Sequence, residues 1–340
     1  MLQSLFGYNL DALHDVANRL NLGQSAAVKM YKYMYNTGVA TVDDMITISA
    51  KKRNLIKKYY TIDTTPPSDV QISTDGTKKY LFNYGNFRLV EAAYIPEENR
   101  ATLCISSQVG CKMGCSFCMT ARQGFQANLT VAEILNQIAA IPERNEITNI
   151  VFMGMGEPFD NADNVFKAID IITHQQGFAI APARVTVSTI GIIPGIERLF
   201  SETKCNLAIS LHNPFSHERR EIMPVENRYK LDAIINIIAG LSTKQQQRVF
   251  FEYILFSGVN DTPEHVQELS KLMNNLSCKI NLIRFHSIPD SDLKSPDQED
   301  IVEFMRMLNA SGVVATIRKS RGQDIFAACG LLSTKKRVNP

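Results

Sequence analysis

Residues 110–125 read GCKMGCSFCMTARQGF, placing Cys111, Cys115 and Cys118 within eight positions just after a short β-rich run, ATLCISS at 101–107. A strand ending in such a loop sets three thiols at the edge of a sheet, and the sequence downstream says which kind of sheet. Runs rich in β-branched and aromatic residues recur: ITNIVFMGMG (147–156), RVTVSTIG (184–191), CNLAISLH (205–212), RVFFEYILF (248–256), KINLIRFH (279–286) and VVATIRKS (313–320). Amphipathic helical segments lie between them. TVAEILNQIAAI (130–141) opens on a Thr130/Glu133 capping box, and TPEHVQELSKLMNNL (262–276) has Pro263 in its first turn. Such alternation implies an α/β fold with a parallel sheet and helices outside, either doubly wound or curled into a partial, TIM-like (β/α) barrel. In both forms ligands lie at the C-terminal ends of the strands, where the cysteine loop and the glycine-rich motif fall.

Upstream the pattern changes. Within residues 1–60, LDALHDVANRL (10–20) and SAAVKMYKYMY (25–35) repeat apolar residues at helical spacing, and TVDDMITISAKKRNLIKKY (41–59) opens on a capping threonine. We read this as a small helical accessory domain. Residues 61–96 hold the Pro66–Pro67 break and KKYLFNYGNFRLVEAAYI (78–95), which alternates as a hairpin-like extension does. The α/β core then spans 97–332, with a basic tail at 333–340.

The net charge of +2 is unevenly spread. Residues 1–60 carry eight Lys and Arg against four Asp and Glu, many of them in KKRNLIKK (51–58), and a small KKR cluster sits at 335–337. A charge run is most often a solvated helix face; a nucleic-acid partner is the sharper reading. No basic residue precedes Asp11, and no apolar run approaches the roughly 18 residues that cross a bilayer. The expectation is a cytoplasmic protein with no membrane partner. Seven cysteines, an odd number with three clustered, favour reduced thiols in metal or catalytic use over structural disulfides.

Three cysteines at this spacing are one ligand short of a closed zinc site, which usually pairs two Cys-x2-Cys units. An iron-sulfur cluster held by three cysteines keeps one iron open for substrate. With Phe117 just before the last cysteine, the motif resembles the signature of the radical SAM superfamily. That resemblance implies a 4Fe-4S cluster on Cys111, Cys115 and Cys118, with its open iron chelating S-adenosylmethionine and an external electron donor feeding it. GMGEP (154–158) resembles the superfamily's glycine-rich segment. Gly156, Glu157, Ser188, Ser210, Leu211 and His212 match S-adenosylmethionine contacts, and His286 stands where an asparagine is usual.

The motifs EAAYIPEENRATLCISSQVGC (91–111), GMGEP, STIGIIPGI (188–196), SLHNPFSHERREIMPVENRY (210–229), INLI (280–283) and IRKSRGQDIFAACG (317–330) follow in order over roughly residues 80–332. Together they resemble the RlmN and Cfr group of RNA adenine methyltransferases. An amidine carbon of adenine is electron-poor and will not attack a sulfonium methyl. The group's solution, as the resemblance implies, is to park the methyl on a cysteine, matched by Cys329, and to spend two S-adenosylmethionines per turnover. Cys104 matches the thiol that releases the RNA adduct through a transient disulfide with Cys329, and Glu91 matches the proton acceptor. Taken alone, Cys104 and Cys329 would read as core residues and Glu91 as a surface carboxylate; Cys205 and Cys278 match no functional position. TARQGF and RKSRG favour the branch acting on carbon 2 of adenosine in 23S rRNA, and in some members tRNA, over the carbon-8 branch. The alternatives are a radical SAM enzyme with a non-RNA substrate and a non-catalytic metal-bearing RNA-binding module.

Overall fold

The computed structural model describes residues 2–334, so the KKR cluster and most of the expected basic tail lie outside the described residues. Ten strands form one sheet in which spatial order equals chain order. They are β1 (Asp69–Ile72), β2 (Lys78–Asn83), β3 (Leu89–Glu97), β4 (Arg100–Cys104), β5 (Asn149–Phe152), β6 (Val185–Thr189), β7 (Asn206–Ser210), β8 (Val249–Leu255), β9 (Lys279–Arg284) and β10 (Ala315–Ile317). The first four are antiparallel neighbours, and β4 to β10 are parallel throughout. Each of the seven β-rich runs read from residue 101 onward supplies one of these parallel strands. Their crossovers hold helices, which makes this the partial (β/α) barrel of the sequence reading. The hairpin of residues 78–95 is β2 and β3, registered Lys78 to Tyr94 at one end and Asn83 to Leu89 at the other.

Helices form where the capping chemistry says they should. Thr130 caps Val131–Ala139, its hydroxyl accepting from the Glu133 N–H while Glu133 reaches back to the Thr130 N–H at 2.8 Å. Thr262 and Pro263 start Pro263–Met273. One expectation fails. Thr41 does not open a long helix over 41–59: its capping box with Asp44 closes a single 3-10 turn, Val42–Asp44, and the α-helix begins only at Ala50. The β-branched stretch Ile46-Thr47-Ile48 separates the two, and such residues lose rotamer freedom in a helix.

The N-terminal helices α1 (Leu10–Arg19), α2 (Gln24–Tyr31) and α3 (Ala50–Lys57) share one continuous apolar core with the barrel. Asn136 exchanges hydrogen bonds with the Thr65 backbone at 2.7 and 2.8 Å, tying the chain that leaves them to the first crossover helix. A second apolar cluster, containing Cys115, Phe117, Met223, Phe256, Phe285, Ala328 and Leu331, gathers residues that follow the C-terminal ends of several strands. No helix among the described residues is long and apolar enough to cross a membrane.

Candidate active site

The loop after β4 carries the three clustered cysteines. Two short strands, Gln108–Val109 and Ala127–Asn128, pair antiparallel and pin its ends. Gly110 has φ +71°, and a Cβ there would stand 1.6 Å from the Gly124 carbonyl oxygen, so only glycine closes this neck. Cys118 precedes the short helix Met119–Gln123.

Cys111, Cys115 and Cys118 line one solvent-open cavity, which they share with Gly156, Glu157, Ser188, Ser210, His212 and Cys329. Nine residues singled out from the sequence, supplied by five separate loops and strand ends, thus meet in one space. Leu211 does not line it: its side chain is buried in the core and its N–H donates to the Glu252 carbonyl at 2.9 Å. His286 and Cys104 line a second cavity, whose wall includes Cys329, Met153 and Arg318 from the first. Glu91 faces a third space with Lys79, Phe326 and Ser333. It is buried, contrary to the surface carboxylate its sequence context suggests, with Lys79 Nζ at 3.3 Å and the Ser333 N–H donating at 3.1 Å. Cys205 and Cys278 are core thiols, as read.

The lining groups are firmly held. Gly156 has φ +98°, and a Cβ would meet that of Gln108 at 2.5 Å, so the glycine-rich segment can pass this close only without a side chain. Glu157 is buried, and its carboxylate accepts from Thr189 Oγ1 at 2.8 Å, Ile190 N–H at 3.0 Å and Phe159 N–H at 3.1 Å. Burial pushes its pKa up to about 7 against those donors. The side chain therefore splices two strand ends, and the Glu157 N–H is in turn given to Gln108 Oε1 at 2.9 Å. His212 adopts φ +55°; its Nδ1 accepts from the Ile254 N–H at 3.0 Å, which leaves the ring proton on Nε2. Burial, then the Arg219 charge, lowers its pKa to about 3, so the ring is neutral. Phe117 packs edge-on against it, with centroids 4.9 Å apart.

Behind this wall lies a feature the sequence reading missed. Arg219 and Glu226 form an ion pair with no exposed side-chain surface. The guanidinium also donates to the carbonyls of Ile190 at 2.9 Å, Ser210 at 3.0 Å and Leu211 at 3.1 Å, knitting together the ends of β6 and β7. Asn260 does the same for His212 and β8, donating to the carbonyls of His212 and Ile254 at 2.7 Å each. The only advance signal for Arg219 was its place inside SLHNPFSHERREIMPVENRY; for Asn260 there was none.

The segment after Cys329 is laced to the helix behind Cys118. Met119 N–H donates to the Gly330 carbonyl at 2.8 Å, Thr120 Oγ1 to Leu332 at 2.6 Å, and Gln123 exchanges bonds with Thr334 at 2.8 and 2.9 Å. Cys104 and Cys329 are free thiols. Burial, then Cys329, pushes Cys104 up to about 12, while Arg318 pulls the other way.

Burial also raises the three clustered thiols, Cys111 to about 12 and Cys115 well above the usual value, and metal binding would displace those protons. Among the described residues no three His, Cys, Asp or Glu side chains converge closely enough to hold one metal ion. Three thiols lining one cavity fit a multi-iron cluster, whose thiolates bind at separate irons and can leave one iron without a protein ligand.

The sequence model of the Radical SAM superfamily matches residues 105–273, and with it the barrel and its cysteine loop are those of a radical SAM enzyme. The chain is 48% identical over 334 residues to a probable dual-specificity RNA methyltransferase RlmN of Phocaeicola vulgatus, covering 98% of this chain and 96% of that one. It is 41% identical over 331 residues to the dual-specificity RNA methyltransferase RlmN of Syntrophus aciditrophicus, covering 96% and 95%. The crystal structure of a radical SAM methyltransferase from Sphaerobacter thermophilus superposes with a TM-score of 0.90 at 34% identity, over 97% of this chain and 99% of that one. The chain belongs to the RlmN family of radical SAM methyltransferases. It is an S-adenosylmethionine-dependent methyltransferase, and the family implies a 4Fe-4S cluster.

Proposed function

We propose that this chain methylates carbon 2 of an adenosine in 23S rRNA and in tRNA, in the cytoplasm, using Cys329 as methyl carrier. The supporting observation is that Cys329 lines both the cavity of the three clustered cysteines and the cavity of Cys104. The relatives' names, dual-specificity RNA methyltransferases, supply the substrate class. Bound on Cys111, Cys115 and Cys118, the cluster supplies the electron, drawn from an external donor, that splits S-adenosylmethionine to a 5'-deoxyadenosyl radical.

The protein's own residues do the rest. The Cys329 thiolate displaces the methyl of a first S-adenosylmethionine: the new S–C bond forms as the sulfonium–methyl bond breaks. Ser188, Ser210 and His212 Nε2 orient a second, from which the hydrogen-abstracting radical arises. That radical would take a hydrogen from the S-methyl group of Cys329, and the resulting carbon radical bonds to the ring carbon. The adduct then gives up one electron, which the cluster would take back, and its ring proton, which Glu91 accepts. The Cys104 thiolate bonds to the Cys329 sulfur as the sulfur–methylene bond breaks, and the freed methylene takes up a proton to become the methyl group of the released RNA. Glu91 faces the third space, so on this reading it reaches the ring only when the base lies across from Cys329. The N-terminal helices add an RNA-binding surface.

The test begins with anaerobic purification, which should give a brown protein with about four irons that cleaves S-adenosylmethionine when reduced; a colourless protein with one zinc would sink the reading. RNA nucleosides from a deletion strain should lack 2-methyladenosine, and Cys329→Ala should fail to restore it while keeping its iron. Cys104→Ala should accumulate protein linked to RNA. Full methylation by the Cys329 variant would refute the carrier role.

A further inference from the structure

The cavity holding Cys104 and Cys329 is strongly cationic. Its walls carry Arg100, Arg318, Lys319 and Arg321 against one carboxylate, Glu97. Two of the four cations are already committed. Arg100 Nε donates to Glu97 at 2.6 Å, and Arg318 lies 3.7 Å from Glu252 and 3.2 Å from the Met153 sulfur. Lys319 and Arg321 make no ion pair among the described residues, and the buried Nε–H of Arg321 has no hydrogen-bond partner. Arg321 is half-buried and Lys319 is exposed, so apart from that Nε their charge stays open to the cavity and to solvent.

The segment carrying these two cations is itself fastened. The Arg318 N–H donates to the Leu282 carbonyl at 2.8 Å, Ser320 Oγ meets His286 Nε2 at 2.9 Å, and the Gly322 N–H donates to Asp75 Oδ2 at 2.9 Å. Residues 318, 320 and 322 hold the backbone, while Lys319 and Arg321 present their charge to the cavity. On a fastened segment, two cations without carboxylate partners among the described residues match a phosphodiester: an Arg fork recognises phosphate oxygens and Lys adds a point charge. His286 thereby has a use in this structure as a brace for that segment.

The geometry points to Lys319 and Arg321 as a backbone-phosphate subsite for the RNA strand, seating the nucleotide whose base reaches Cys329. This inference rests on the RNA methyltransferase reading and adds to it the residues that hold the strand at the thiol pair.

The test uses the full-length holoenzyme with unmodified 23S rRNA and tRNA prepared from a deletion strain. Lys319→Gln should lower the magnitude of the log Kd against log salt slope by about 1, and Lys319→Gln with Arg321→Gln by about 2, with at least tenfold weaker binding at moderate salt. Lys319→Arg should restore the slope. Loading of a methyl on Cys329 from S-adenosylmethionine without RNA, read by intact mass, should match the wild type in every variant. Wild-type protein that binds neither RNA nor takes up the methyl would overturn the underlying reading. A wild type that does both, alongside variants with its RNA affinity and slope, would overturn the subsite alone. Lys319 is exposed, so the single variant keeps the test decisive even if the double variant misfolds.

Discussion

Removing Arg219 alone should damage this protein more than removing it together with Glu226. Both side chains are fully buried, and Glu226 also accepts from Ser216 Oγ at 2.8 Å and the Leu231 N–H at 3.1 Å. Arg219→Met strands a carboxylate in the interior, which costs about 3–5 kcal/mol. It also strips a donor from the carbonyls of Ile190, Ser210 and Leu211, at about 1–3 kcal/mol for each group left unsatisfied. These terms are not additive, but together they reach the lower end of the 5–15 kcal/mol stability typical of a domain. Arg219→Met with Glu226→Leu keeps the loss at the carbonyls and removes the stranded charge, while the Ser216 hydroxyl and Leu231 N–H lose their acceptor and offset part of that gain. Equilibrium urea unfolding followed by far-UV circular dichroism should place the double variant about 2–3 kcal/mol above the single one. A single variant as stable as the double, or more stable, would refute the assignment of Arg219 as the counter-ion of Glu226.

Two further outcomes follow from the site and the N-terminal helices. His212 is held near pKa 3 when folded, below the ordinary 6.5, so on acidification the unfolded chain takes a proton that the folded one refuses. Its contribution to stability is full above pH 6.5 and is lost as pH falls toward 3. Relative to wild type, His212→Gln should flatten the decline between pH 6.5 and 4 by about 1.4 kcal/mol per pH unit, and parallel curves would contradict it. In α3, Lys52 Nζ donates to the Leu22 carbonyl at 2.6 Å, while Lys51 and Lys58 are exposed. Lys51→Ala with Lys58→Ala should therefore reduce the salt slope of RNA binding by about 2 without loss of thermal stability. An unchanged slope would take this helix out of the RNA interface.

The legibility of the chain followed the range of the interactions. The parallel strands are readable because each is a local run of β-branched and aromatic residues bounded by helices, and the cysteine loop because its three thiols lie within eight positions. The partition of the site into three spaces was not readable. Glu91, Cys104 and His286 sit on strands or strand ends whose side chains enter cavities set by the twist and register of the whole sheet. Arg219 and Asn260 act through main-chain carbonyls of strands distant in sequence, and a carbonyl leaves no mark in a sequence. The helix expected over 41–59 breaks for a local reason: Thr41 does cap a turn, but the β-branched Ile46-Thr47-Ile48 behind it disfavours helix until Ala50.

The lacing of residues 330–334 onto the helix behind Cys118 has a consequence for how the protein is made. Thr120 and Leu332 are joined across 212 residues, so one side of the cysteine cavity is supplied by chain synthesised long after the cysteine loop. Because spatial order in the sheet equals chain order, the strands around the three clustered thiols are nearly all synthesised before that side. A chain lacking the residues after β10 would keep the three clustered thiols with their cavity uncovered. The cavity is therefore closed last by the same segment that carries Cys329.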